Sequence, residues 1–179
     1  STFGEATKPP PGVRYCYDVE NAYNFAHLFT DGEEVVATEK VHGANGRFAY
    51  VPEVGMFAGS RTEWKRQNDT NLWWKALSLH PEVEEFCKAN PEITVYGEAF
   101  GQVQDLTYGF DKGKVSIAVF DLLRNGEWVD HDEARELGKT LPWVPIIYRG
   151  PWDKEKVFAL ADGKSEVAKL KGKDQIREG

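Results

Sequence analysis

Two stretches of the chain, Ile93 to Ala99 and Val115 to Leu123, are strongly apolar and rich in β-branched and aromatic residues. That pattern predicts two strands. Glu33 to Lys40 alternates in part around Val35 and Val36 and predicts a strand. Arg47 to Val51 predicts the next, and the turn His42-Gly43-Ala44-Asn45-Gly46 between them reads as a hairpin connection. Asn125-Gly126 predicts a second tight hairpin into Glu127-Trp128-Val129, and Val144 to Tyr148 suits a further strand. Helical segments are expected over Asn21 to Leu28 after Asp18, Asn71 to Leu79, Pro81 to Ala89, Asp132 to Leu137 and Trp152 to Ala161. Pro81 followed by Glu82, Glu84 and Glu85 suits a helix start, as does Asp153 near the head of the last segment.

Strands and helices mix without a regular βα repeat. The expected fold class is therefore α+β with mainly antiparallel sheets rather than a doubly wound fold. Neither an internal repeat nor a glycine-rich phosphate loop is visible. Residues 1 to 14, with Pro9-Pro10-Pro11, read as a linker or extended arm, and residues 15 to 179 as the domain.

Composition narrows the class. A chain of 179 residues with 41% apolar and 13% aromatic content can bury a real core in one domain. A net charge of −7 argues against a general nucleic-acid coat protein but leaves room for a local basic groove. Arg61, Lys65 and Arg66 form one basic cluster, and Lys164, Lys169, Lys171 and Lys173 another. Each suits such a groove or an ordinary solvated face equally well. Cys16 and Cys87 match no disulfide framework or metal motif, which suits a reducing, cytoplasmic setting. No apolar run approaches the roughly 20 residues of a membrane span, so no membrane partner is expected. The start lacks a signal-peptide pattern, and Ser1 in place of Met suits a processed or cut terminus.

The chemistry-bearing segment is Glu39-Lys40-Val41-His42-Gly43-Ala44-Asn45. A lysine at a strand end before a glycine turn is a candidate nucleophile if its amine is neutral. A free lysine has a pKa near 10.4, so about one in 10³ is neutral at pH 7, and correcting that takes about 4 kcal/mol from burial or a nearby cation. Read alone, the segment suits an ordinary surface lysine on a hairpin better than a nucleophile.

Thr38 to Asn45 resembles motif I of the covalent nucleotidyltransferases: RNA ligases, DNA ligases and mRNA-capping enzymes. The Lys-Val-His-Gly form, with Asn two residues after the glycine, is most similar to the RNA ligase 2-like branch, since the other branches usually carry Asp where His42 stands. Gly59-Ser60-Arg61 resembles motif Ia and Val95 to Gly101 motif III. Ala118 to Leu123 resembles motif IIIa, and Ile176-Arg177-Glu178-Gly179 the opening of motif IV. The five pieces follow the family's order.

The resemblance implies an ATP-dependent RNA ligase on an α+β nucleotidyltransferase (adenylation) domain. Lys40 would become covalently joined to AMP, the AMP would pass to an RNA 5′-phosphate, and a 3′-hydroxyl would seal the junction. Glu39, His42, Asn45, Arg61, Glu98, Phe120 and Glu178 would join Lys40 in binding the nucleotide. Glu98 and Glu178 would hold Mg²⁺ or Mn²⁺, through waters. Each also has a plainer reading: Phe120 as a core residue, Asn45 as the turn residue Asn-Gly favours, His42 as packing, Arg61 and Glu98 as solvated charges.

The family continues past motif IV with an apolar strand ending in lysine and a motif V with two more lysines, whereas this sequence stops at Gly179. A C-terminally incomplete domain is therefore expected. Tyr17 to Asn21 also resembles ligases that carry an N-terminal OB-type module, which would make the proline arm an interdomain linker. The rivals are a DNA ligase, a capping guanylyltransferase, or a non-catalytic nucleotide- or RNA-binding module.

Overall fold

In a computed structural model, which describes residues 6–10, 20–101, 107–111 and 113–178, the two strongly apolar runs become adjacent strands at the centre of the molecule. In chain order the elements are α1 (Ala22–Phe25), β1 (Glu34–Thr38), β2 (Gly43–Val51), β3 (Gly55–Gly59) and β4 (Trp64–Lys65). Next come α2 (Leu72–Ser78), α3 (Pro81–Ala89), β5 (Ile93–Gly101), β6 (Val115–Arg124), β7 (Glu127–Trp128) and α4 (His131–Leu137). The chain ends with β8 (Ile146–Pro151), α5 (Lys154–Ala159) and α6 (Glu166–Lys169). Six strands form one sheet in the order β4-β3-β2-β5-β6-β7, and β1 pairs with β8 in a second, two-stranded sheet. Every one of these strand pairs is antiparallel, so the expected α+β class is what the chain adopts.

The hairpin expected over residues 33 to 51 does not form. β1 pairs with β8, while β2 starts at Gly43 and pairs with β3 and β5. Residues 39–42 therefore cross from one sheet to the other. Local turn chemistry pointed to a hairpin, but the long apolar strand β5 offers β2 a buried partner over six residue pairs, which a two-strand ribbon in water cannot match. The second expected hairpin is present: Asn125 and Gly126 both take positive φ, 51° and 80°, and join β6 to β7.

One face of the six-stranded sheet is closed by α2 and α3. Phe48, Val95, Ile117 and Leu122 meet Ala76, Leu77, Val83, Phe86 and Cys87 there, all buried. The Asn71 side chain caps α2 by accepting from the Trp74 N–H at 3.0 Å. The Trp73 indole N–H donates to the Asn45 carbonyl at 2.9 Å and that of Trp74 to the Lys65 carbonyl at 2.8 Å, which tie α2 to the sheet. Pro81 occupies the start of α3, with Glu82 and Glu84 in its acidic first turn. Cys87 is a free thiol whose pKa burial pushes up to about 12, the Glu84 charge adding to the effect.

The opposite face carries a smaller cluster of Val41, Phe100, Tyr108, Ala118, Val144 and Ala168. The two-stranded sheet is tied to α4 by Arg149, which donates to both Asp132 oxygens (2.7 and 2.6 Å) and to Glu34 (3.0 Å). The described part of the expected N-terminal arm lies extended against the sheet edge: Ala6 bridges to Lys65, and the Thr7 N–H donates to the Trp64 carbonyl at 2.8 Å. Cys16, Asp18, Gly179 and most of residues 1 to 14 lie outside the described residues. No helix among the described residues is long and apolar enough to cross a membrane.

Candidate active site

The segment that crosses between the sheets opens a cleft of about 360 Å³, lined by Thr38, Glu39, Lys40, Val41, Asn45, Arg61, Glu98, Phe120 and Val144. That volume falls within the range of small-molecule sites, about 300–1,000 Å³. Six of the eight residues singled out by the sequence, spread from position 39 to position 120, thus share one cavity. The other two are attached to it. Glu178 bonds the Lys40 ammonium through one carboxylate oxygen and His42 Nδ1, at 3.0 Å, through the other.

Backbone geometry explains how each group arrives. Gly43 begins β2 so close to β5 that a Cβ there would lie 2.3 Å from the Ala99 carbonyl oxygen. Only glycine permits this approach, and it fixes where the segment that carries Lys40 joins the sheet. Asn45 and Glu98 are direct partners across β2 and β5 and point to the same face.

Phe120 lies beside the cleft at a β-bulge. Tyr96 pairs with Asp121 but Gly97 pairs with Val119, so Phe120 is the extra residue on β6. Strict alternation would send Val119 and Leu122 to opposite faces, yet both pack in the helix-covered core. The extra residue makes that possible, while Phe120 follows Ala118 to the cleft side by plain alternation. The main chain after α4 closes on the same point: the Val119 N–H donates to the Pro142 carbonyl at 2.8 Å, and Val144 N–H to the Val119 carbonyl at 2.9 Å.

The carboxylates differ in state. Burial pushes the Glu98 carboxyl up from its ordinary 4.5 to about 7. The Lys40 charge opposes this, the Glu178 charge adds to it, and a Gly43 backbone bond opposes it. Glu39 is 1% exposed. Its Oε2 accepts the Glu166 and Val167 N–H groups (2.9 and 3.2 Å) at the head of α6, while its Oε1 is buried with no partner among the described residues. Asn45 Oδ1 is likewise buried and unpartnered among the described residues. Two orphaned acceptors beside a cavity are apt positions for ligand donors. No group of three or more His, Cys, Asp or Glu able to hold a metal ion occurs among the described residues.

The basic clusters resolve differently. Arg61 lines the cleft, but Lys65 is 6% exposed, pairs with Glu63 at 2.8 Å and lies 5.2 Å over the Trp73 ring. Lys65 therefore belongs neither to a basic groove nor to a solvated face. Lys164 and Lys169 are exposed and pair with Asp174 and Glu166. Sequence reasoning missed Thr38, Val41 and Val144 as cleft residues. It also missed Tyr108, whose hydroxyl oxygen accepts the His42 backbone N–H at 2.6 Å. The signal for Thr38 and Val41 was adjacency to Lys40; Tyr108 and Val144 had none.

A comparison with curated proteins gives no match. Solved structures do match. An apo mutant of a Naegleria gruberi RNA ligase superposes with a TM-score of 0.80 at 21% identity, covering 98% of this chain and 54% of that one. The Naegleria gruberi RNA ligase with PPi gives 0.76 at 21%, covering 99% and 58%. A mutant of it with ATP and Mn gives 0.76 at 21%, covering 93% and 53%. At this identity the likeness establishes the fold. The chain spans a little over half the length of these ligase chains. The family model of RNA ligase matches residues 33–179, the whole run from β1 through the cleft to Glu178. With a match over most of its length and the corresponding fold, this chain belongs to the RNA ligase family.

Proposed function

We propose that the protein is an ATP-dependent RNA ligase that works through a covalent lysyl-AMP on Lys40. The observation that carries this reading is the convergence of Lys40, Arg61, Glu98, Asn45 and Phe120 on one cleft.

ATP enters with adenine against the Phe120 face, where an aromatic ring stacks on a base. Glu39 Oε1 and Asn45 Oδ1 accept donors from the nucleoside, since each is buried without a partner among the described residues. The Arg61 guanidinium takes phosphate oxygens. The Lys40–Glu178 pair is solvent-exposed and costs little to open. The freed, deprotonated amine attacks the α-phosphorus in line, the bond to the β-phosphate oxygen breaks, and pyrophosphate leaves with that electron pair. AMP stays on Lys40 through a phosphoamide bond. An RNA 5′-phosphate oxygen then displaces Lys40 to give an adenylated end, and a 3′-hydroxyl attacks that end and releases AMP.

The donor set suits a hard divalent cation. The Glu178 charge adds to the cost of ionising the partly buried Glu98, which a cation relieves. Mg²⁺ or Mn²⁺ commonly binds through one or two carboxylates together with substrate phosphates and waters. When bound, it supplies charge neutralisation at the phosphates. His42, held by Glu178, orients that carboxylate. A buried free thiol at Cys87 fits work in a reducing interior.

The test is incubation of the complete protein with α-labelled ATP and Mg²⁺ or Mn²⁺, followed by denaturation and peptide mapping. Label on Lys40 is expected with ATP and not with GTP, which separates a capping enzyme. Nicked RNA sealed in preference to nicked DNA separates a DNA ligase. No covalent label on the complete protein would reduce it to a binding module.

A further inference from the structure

Tyr108 is fully buried, yet it lies outside every motif that the lysyl-AMP chemistry uses. Its ring packs edge-on against Phe100 at 5.2 Å, and Phe100 meets Phe110 in the same way at 5.5 Å. Its hydroxyl oxygen accepts the His42 backbone N–H at 2.6 Å, two residues after Lys40. Its own backbone N–H donates to Gln175 Oε1 at 2.9 Å, three residues before Glu178.

The contact with the C-terminal segment is not confined to that bond. Lys171 Nζ sits 4.1 Å over the Phe110 ring, and a Cβ at Gly109 would lie 2.6 Å from Lys173. Residues 107–110 are thus clamped against residues 171–175. The described contacts close a ring: Lys40 leads to the His42 backbone, then to Tyr108, to Gln175, to Glu178, and back to the side chains of Lys40 and His42.

We propose that Tyr108 is a positioning residue for the nucleophile, fixing the His42 backbone so that Lys40 and the Glu178 carboxylate face the same point of the cleft. The inference rests on the lysyl-AMP reading for its consequence, but not for its geometry. Tyr108 is not among the residues that line the cleft, so loss of its hydroxyl affects the attack rather than ATP capture. The segment from Glu39 to His42 runs between two sheets without strand pairing, and the hydroxyl ties it at His42. Burial and the nearby Glu39, Glu178 and Glu98 charges push the hydroxyl's pKa up to about 12, the His42 bond opposing them. It therefore stays neutral at working pH.

Tyr108→Phe removes the hydroxyl and keeps the ring packing. With the complete protein, α-labelled ATP and Mg²⁺, this variant forms lysyl-AMP with kcat lowered about tenfold and KM for ATP within about twofold of wild type. Val83→Ala, a truncation on the buried side of α3, controls for general loosening and leaves both constants unchanged. In the protein without ATP, amide exchange at His42 is faster in Tyr108→Phe by about tenfold or more, with exchange under α3 unaltered. Wild-type labelling by Tyr108→Phe, an equal loss in Val83→Ala, a loss confined to KM, or unchanged His42 exchange would each overturn the proposal. A wild-type protein that takes no label overturns the proposed function instead, and the exchange measurement then decides on its own whether Tyr108 holds the segment.

Discussion

On the helix-covered face of the six-stranded sheet, Phe48, Val95, Ile117 and Leu122 are sealed beneath α2 and α3. On the other face, the same three strands carry Asn45, Glu98 and Phe120 into an open cleft. The first side gains stability from apolar area removed from water. The second gives some of it back, through a carboxyl forced up to about pH 7 and buried acceptors with no partner among the described residues. The two sides share a backbone but are under different demands. One is tuned to stay folded, the other to hold polar groups for which the proposed nucleotide would bring compensation.

Substitutions on the two faces should therefore separate stability from chemistry. The largest effect is on the cleft side: Lys40→Ala removes the proposed nucleophile and lowers covalent AMP labelling by at least about 10³-fold, while the melting temperature stays close to wild type. A large fall in melting temperature would break the comparison. Phe48→Ala is the mirror case. It costs about 3–5 kcal/mol of stability in a denaturant titration, and labelling per folded molecule persists.

The next effect is in pH. Glu98 holds its proton up to about pH 7 in the folded chain, against an ordinary value of 4.5. Between those values the folded state binds the extra proton and the unfolded state does not. This contribution to stability is complete below about pH 4.5 and is lost as pH rises through about 7. Thermal melts in chelator should show the decline, and Glu98→Gln should flatten it while lowering labelling. An unchanged slope in that variant would refute the assignment. The smallest effect is at the cap of α2. Asn71→Ala costs about 1 kcal/mol, measured by denaturant midpoint, with kcat for labelling unchanged.

The same contrast sets how much could be read from the sequence. Ile93 to Ala99 and Val115 to Leu123 announced strands because a buried strand must be apolar, and both formed within two residues of the expected ends. Pro81 and Asp153 announced helix starts because the backbone groups there tolerate a missing N–H or need a cap. β3, β4 and α6 are short and were not foreseen; α6 takes a Ser165 cap and the Glu39 carboxylate, 127 positions distant at Glu166.

By itself the sequence determined the α+β class, the principal strands and helices, and the order of the motif residues from Lys40 to Glu178. Those depend on local periodicity, capping and residue type, which the chain carries with it. Tertiary structure alone decided that β1 abandons β2 for β8, that an extra residue in β6 returns Leu122 to the helix-covered core, and that Tyr108 reaches the backbone beside Lys40. Each is a choice among pairings distant in sequence, settled by which buried surfaces and hydrogen bonds can be satisfied together, and no local pattern encodes it.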